Sequence, residues 1–313
     1  MALTAALFEK IGSLSVLIIM GFISVRFKIL KYEDSKALSL FALYFLTPCA
    51  MLDAFQYEFS PDKLAGMGIS LLGSLMAVLV FALLTRLLVK PLRLSVVDYT
   101  SLEYPNAGNF MLPLISSAMG GDWVIYCSSC FMVMNVLMFS HGKAVISGVK
   151  GFRPEMLFKN VVLLSTLTGF AMFLLNFQIP GVLGGAISST GDMMGPVYMF
   201  TVGMIIGNAD LKKVFFNRRA WLICCGRLIV YPLAALAFIW LSGVLRLHPQ
   251  AAEIMLIVVL TAGAPTAVMV TQFAQMYRSE QEAEFASVVN ILSTLLCLLT
   301  MPCLAYLYQL VTA

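Results

Sequence analysis

Apolar residues run in blocks of 17 or more along the whole chain, broken by short polar stretches, and the blocks recur at a spacing that predicts ten helices. These fall at about residues 5–27, 37–57, 64–89, 99–120, 123–146, 158–178, 187–207, 220–244, 250–277 and 284–310. Each is long enough to cross a hydrocarbon layer of about 30 Å. Two blocks break the pattern. Residues 103–114 read EYPNAGNFMLPL, with two prolines, a glycine and two asparagines among apolar neighbours, and residues 262–265 read AGAP.

Composition agrees with a membrane protein. Hydrophobic residues make up 60% of the chain and charged residues 12%, against roughly 25% charged in soluble domains. A water-facing surface cannot be covered with so few charges. The opening MALTAALFEK lacks a basic leader region, so the first apolar block is expected to be retained as a span.

The net charge of +4 reflects topology rather than an acidic partner. If the first loop is cytoplasmic, the inside loops hold Arg26, Lys28, Lys31, Lys36, Arg86, Lys90, Arg93, Lys143, Lys150, Arg153, Lys159, Lys212, Lys213, Arg218, Arg219 and Arg278. Only Lys10, Lys63 and Arg246 fall outside, and Arg227 falls within the eighth block. That loop-by-loop bias predicts a multi-pass protein of the cell membrane with both termini outside. No basic run interleaved with aromatics is present, so a nucleic-acid partner is not expected. The seven cysteines lie in apolar blocks, including CSSC at 127–130, and are expected to be packing residues rather than disulfides. No metal-ligand spacing or nucleophile–base pair stands out, so neither an enzyme nor a cofactor is expected.

The chain reads as two halves, residues 1–150 and 151–313. Pro48 has a counterpart in Pro196, Pro113 in Pro265 and Asn135 in Asn290, at offsets of 148, 152 and 155 residues. Five spans per half force the halves into opposite orientations. The expected fold is therefore all-α: ten transmembrane helices in two inverted five-helix repeats, with broken fourth and ninth helices that cross.

A backbone broken in lipid is tolerated only where protein buries it or where it lines a wet cavity. The fourth block breaks around Asn106-Ala107-Gly108-Asn109, with Pro113 suited to the first turn of the resuming helix. The ninth breaks around Ala262-Gly263-Ala264-Pro265. Two helix N-termini then meet near the middle of the bilayer, each carrying about half a positive charge. Neutral hydrogen-bonding side chains surround them, and no carboxylate sits at either break. Asn106, Gly108, Asn109, Pro113, Asn135, Gly263, Pro265, Thr266 and Asn290 are thus candidates to bind a small organic anion, with Pro113 and Pro265 as the crossing points. Arg227 joins them as an intramembrane cation. Asp192 reads as a residue near the outer end of the seventh span, with proton coupling as an alternative; Glu103, just before the fourth-block break, and Asp53, ending the second span outside, read as topological, and His141 and His248 as loop residues without a relay neighbour.

The segments NAGNFMLPLI, AGAPTAVMVTQFAQMY, STLLCLLTMPCLAY, LYFLTPCAML and GPVYMFTVGMIIG together resemble the bacterial auxin efflux carrier family, which includes malonate-transporter-like members. The resemblance implies a carrier of carboxylate-bearing substrates with helices crossing at Pro113 and Pro265 and with Asn109 beside the substrate. It also implies a scaffold built from the first, second, sixth and seventh spans, and leaves room for a homodimer. Met111-Leu112 departs from the family pattern, which has Gly and an aliphatic residue there. Two alternatives stand beside this reading: a sodium-coupled organic-anion symporter of the bile-acid type, and a non-transporting sensor with the carrier fold.

Overall fold

A computed structural model of the chain describes residues 2–149 and 160–312, without the side chains of residues 2–8, Lys10 and Asn109. The expected joint between the halves, and with it Lys150, Arg153 and Lys159, lies outside the described residues.

Helix α1 spans Ala2–Arg26, α2 Asp34–Asp53 and α3 Pro61–Val89. The fourth apolar block is split into α4 (Val96–Glu103) and α5 (Leu112–Met119), the latter entered through a π turn at Ala107–Met111. Helix α6 covers Gly121–Ser147 and α7 Val161–Leu174. The seventh block begins earlier than its hydropathy suggests: α8 (Gly181–Asp192) and α9 (Met194–Asn208) divide at Met193. A short α10 (Leu211–Phe216) precedes α11 (Arg218–Ser242). The ninth block is split into α12 (Ala251–Ala262) and α13 (Val268–Tyr277), and α14 closes the described chain at Glu280–Thr312. Five of these helices, α2, α3, α6, α11 and α14, are long and apolar enough to cross a membrane.

Local chemistry sets the ends. Ser95 and Asp98 form a reciprocal capping box at the start of α4. Asn160 accepts from the Val162 and Leu163 N–H groups, both at 3.1 Å, to open α7. Pro61 stands in the first turn of α3, where its missing N–H costs nothing.

Helix α3 shows how the pattern divides the environment. Leu72, Leu75, Leu79, Leu83 and Leu87 form an exposed stripe, whereas Ser70, Gly73, Ser74, Ala77 and Phe81 are buried. Leucines outward and mostly small groups inward, Phe81 apart, is the arrangement of a helix that faces lipid on one side and packs closely on the other. The innermost element is α12, in which every residue from Ile254 to Ala262 is buried.

The closest packing joins α1 to α9. A Cβ at Gly21 would meet the Phe200 carbonyl oxygen at 2.0 Å, and one at Gly203 would meet that of Ile18 at the same distance. The two backbones touch there, and only glycine fits.

Candidate functional site

The two breaks meet each other. Pro105 and Thr266 form an isolated antiparallel bridge. The Asn106 N–H donates to the Pro265 carbonyl at 2.7 Å, and the Ala267 N–H donates to the Tyr104 carbonyl at 2.9 Å. Thr266 Oγ1 donates to the Ser101 carbonyl at 3.2 Å. Backbone groups freed by proline and glycine thus satisfy one another across the two segments, as an apolar interior requires. The first segment crosses at Pro105, not at Pro113 as its sequence counterpart suggested. Pro113 lies in the first turn of α5, where it packs against Gly195 of α9. Pro265 lies at this junction, its carbonyl accepting the Asn106 N–H.

Arg227 secures the other side of the same junction. It is fully buried. Its Nε donates to the Ala264 carbonyl at 3.0 Å, one Nη to Leu102 at 2.7 Å and the other to Ala262 at 2.6 Å. The guanidinium also lies 5.0 Å from the centre of the Phe81 ring. These carbonyls end α4 and α12, so the cation sits at the two negative helix ends. The Asn290 amide donates to the Thr266 carbonyl at 2.7 Å, and Ser293 Oγ accepts the Thr266 N–H at 3.2 Å.

The positive ends open elsewhere. A cavity of about 410 Å³ lies between the crossing and helices α2, α7 and α9. From the breaks it is lined by Tyr104, Asn106, Gly108, Ala267 and Met269; from α6 by Phe131 and Asn135; from α2 and α9 by Thr47 and Tyr198. Neither helix start carries a side-chain cap from its own N-cap residue, Asn106 or Ala267. No acidic or basic side chain lines the cavity among the described residues. Its polar groups are hydroxyls and amides: Thr47 Oγ1 and Tyr198 Oη lie 3.0 Å apart, and Asn135 Nδ2 donates to the Phe131 carbonyl of its own helix at 3.3 Å.

Of the residues singled out from sequence, Asn106, Gly108 and Asn135 line the cavity. Pro265, Thr266 and Asn290 build the crossing behind it. Gly263 packs against Leu304 and Pro232, and its carbonyl faces Cys297 Sγ at 3.8 Å. Arg227 points to carbonyls rather than into the cavity, and Pro113 to α9. The Asn109 side chain lies outside the described ones. Cys127 and Cys130 are buried free thiols, and Cys130 touches Ser70 Oγ at 3.4 Å, as packing residues would. Sequence reasoning missed Tyr104, Thr47 and Tyr198. It also gave His141 no neighbour, yet His141 Nδ1 lies 2.6 Å from Tyr104 Oη.

Two stretches of the chain, residues 6–151 and 149–305, match the membrane transport protein family. The chain belongs to that family. It is the auxin efflux carrier family that the motifs resemble, and each half of the chain matches it separately. No curated protein matches the chain. Membership in the family, together with the long apolar helices, makes this a multi-pass membrane transporter.

Proposed function

We propose that this member of the membrane transport protein family carries a small organic anion, a mono- or dicarboxylate, through the cavity beside the crossing by alternating access. Its ten apolar segments would form two inverted five-helix repeats in the cell membrane, with both termini outside. The observation that carries this reading is the pairing of two uncapped helix starts with one uncharged, hydroxyl- and amide-lined cavity. Such helix ends favour negative charge. Arg227 supports the same polarity by neutralising the opposite helix ends, which would repel an anion. The bile-acid-type sodium symporter is the weaker reading, because no carboxylate lines the cavity among the described residues.

A singly charged anion leaving a negative-inside cell gains about 2.3 kcal/mol per 100 mV, so export needs no partner ion and uptake does. The test is flux of radiolabelled malonate and malate in proteoliposomes, wild type against Asn106→Ala and Asn135→Ala. Saturable, potential-sensitive flux that falls in both variants supports the reading. Flux untouched by either variant would move the site away from this cavity, and saturable binding without flux would favour a sensor.

A further inference from the structure

Tyr104 is the residue at which the cavity wall meets a titratable cluster. It follows Glu103, the last residue of α4, and its carbonyl receives the Ala267 N–H of the crossing. Its phenolic oxygen lies 2.6 Å from His141 Nδ1, and His141 Nδ1 lies 4.0 Å from a Glu103 carboxylate oxygen. The π turn Met138–Gly142 in α6 makes this meeting. It presents His141, and its glycine leaves the space that the Tyr104 ring fills, since a Cβ on Gly142 would come within 3.1 Å of that ring. The His141 side chain is 54% exposed and that of Glu103 only 13%. One end of the cluster is therefore at the protein surface, near the end of α6, and the other lies inside the protein. π turns inside helices often mark functional positions.

We infer that Glu103, His141 and Tyr104 form a proton-binding site that couples proton movement to anion transport. The inference rests on the organic-anion reading for its cargo. With His141 neutral and its proton on Nε2, Nδ1 accepts the Tyr104 O–H. When the ring takes a proton from solvent, Nδ1–H donates to the phenolic oxygen, and the phenolic hydrogen is released from His141. The proton is thus recorded as the direction of one hydrogen bond at the cavity wall. The charge of the Glu103–His141 pair rises by one at the same step, which offsets the charge of a singly charged anion. Uptake against a negative-inside potential then no longer meets the cost of about 2.3 kcal/mol per 100 mV.

The groups facing the cluster among the described residues fit this role. Thr85 of α3 pairs with Tyr231 Oη at 2.7 Å, and Thr85 and Arg86 both lie within electrostatic reach of Glu103. Tyr231 of α11 and Tyr99 of α4 also feel Glu103, and Arg278 feels Tyr99 from beyond α13. Lys143, one residue past the π turn, lies over the Phe273 and Tyr277 rings of α13.

Two measurements test the site separately from the cargo. His141 and His248 are the chain's only histidines, so ¹⁵N spectra of a His248→Gln protein report on His141 alone. The expected neutral form carries its proton on Nε2, and loss of the Tyr104 hydroxyl in Tyr104→Phe should shift the Nδ1 resonance. A mixture of tautomers unaffected by Tyr104→Phe overturns the inference whatever the substrate. In proteoliposomes, an imposed inward proton gradient should raise wild-type carboxylate uptake relative to counterflow, and this ratio should drop about tenfold in His141→Gln and Glu103→Gln. Counterflow with a ratio indifferent to the gradient overturns the coupling. Absence of counterflow for every carboxylate would sink the organic-anion reading instead, and the His141 spectra would still decide the relay.

Discussion

Arg227 and Leu102 lie 125 residues apart in sequence and 2.7 Å apart in space, guanidinium to carbonyl. The same side chain binds Ala262 and Ala264, so a single cation ties the ends of both interrupted helices. Its planar fork of donors suits carbonyls that diverge in direction, which a lysine ammonium does not reproduce.

Arg227→Met should therefore cost stability well beyond that of an ordinary substitution. Three buried carbonyls lose a charged donor, and each unsatisfied group costs about 1–3 kcal/mol. Thermal unfolding in detergent should show a large drop for Met and a smaller one for Lys. Equal melting of wild type and Arg227→Met would mean that the carbonyls find other donors.

The paired asparagines should separate by kinetics. Asn290→Leu leaves the Thr266 carbonyl without its amide donor and loosens the crossing, so it should lower the maximal rate and the melting temperature. Asn135→Leu alters the cavity wall and should raise KM, by about tenfold for a lost polar contact. Transport kinetics of the two variants side by side give the comparison, and identical effects on KM would contradict the placement.

Gly108→Ala should narrow the cavity. A Cβ there would lie 2.4 Å from Cε2 of Phe131, itself a wall residue, so the ring must turn. Larger carboxylates should lose more than smaller ones, with selectivity shifting by about 10-fold or more. Competition of a carboxylate size series against labelled substrate measures this.

Asp98→Ala should destabilise by about 2 kcal/mol, through loss of a helix cap together with a partly exposed ion pair. Asp98 is buried and pairs with Arg219 at the start of α11, while also closing the capping box of α4. Chemical denaturation of the solubilised protein is the check. The Arg219 head is half exposed and rehydrates, which keeps the loss moderate.

The positions of the helices were legible because hydropathy is a property of consecutive residues. So were both interruptions, since Pro105, Gly108, Gly263 and Pro265 act on their own backbone. What those interruptions touch was not legible. Pro105 and Pro113 stand in one short segment, and local chemistry alone does not say which one meets the other break; the bridge to Thr266 decides for Pro105. Asn135 and Asn290 occupy matching sequence positions, yet one faces the cavity and the other binds a carbonyl at the crossing. Arg227 read as a ligand because an intramembrane cation ordinarily signals one, and its three acceptors are main-chain atoms that no side-chain pattern reveals. His141 lacked a visible partner because a π turn rotates it toward Tyr104, and apolar periodicity carries no sign of that extra residue in the turn.

The glycine contact between α1 and α9 has a mechanical consequence. Gly21 and Gly203 each occupy a slot whose floor is the other helix's main chain, so a slip of one position would drive a side chain into a carbonyl oxygen. The two helices have one permitted register and are riveted in it. A carrier built this way has no sliding surface at that seam, and under the proposed alternating access the stroke must be taken up where the contacts are made by side chains that can repack.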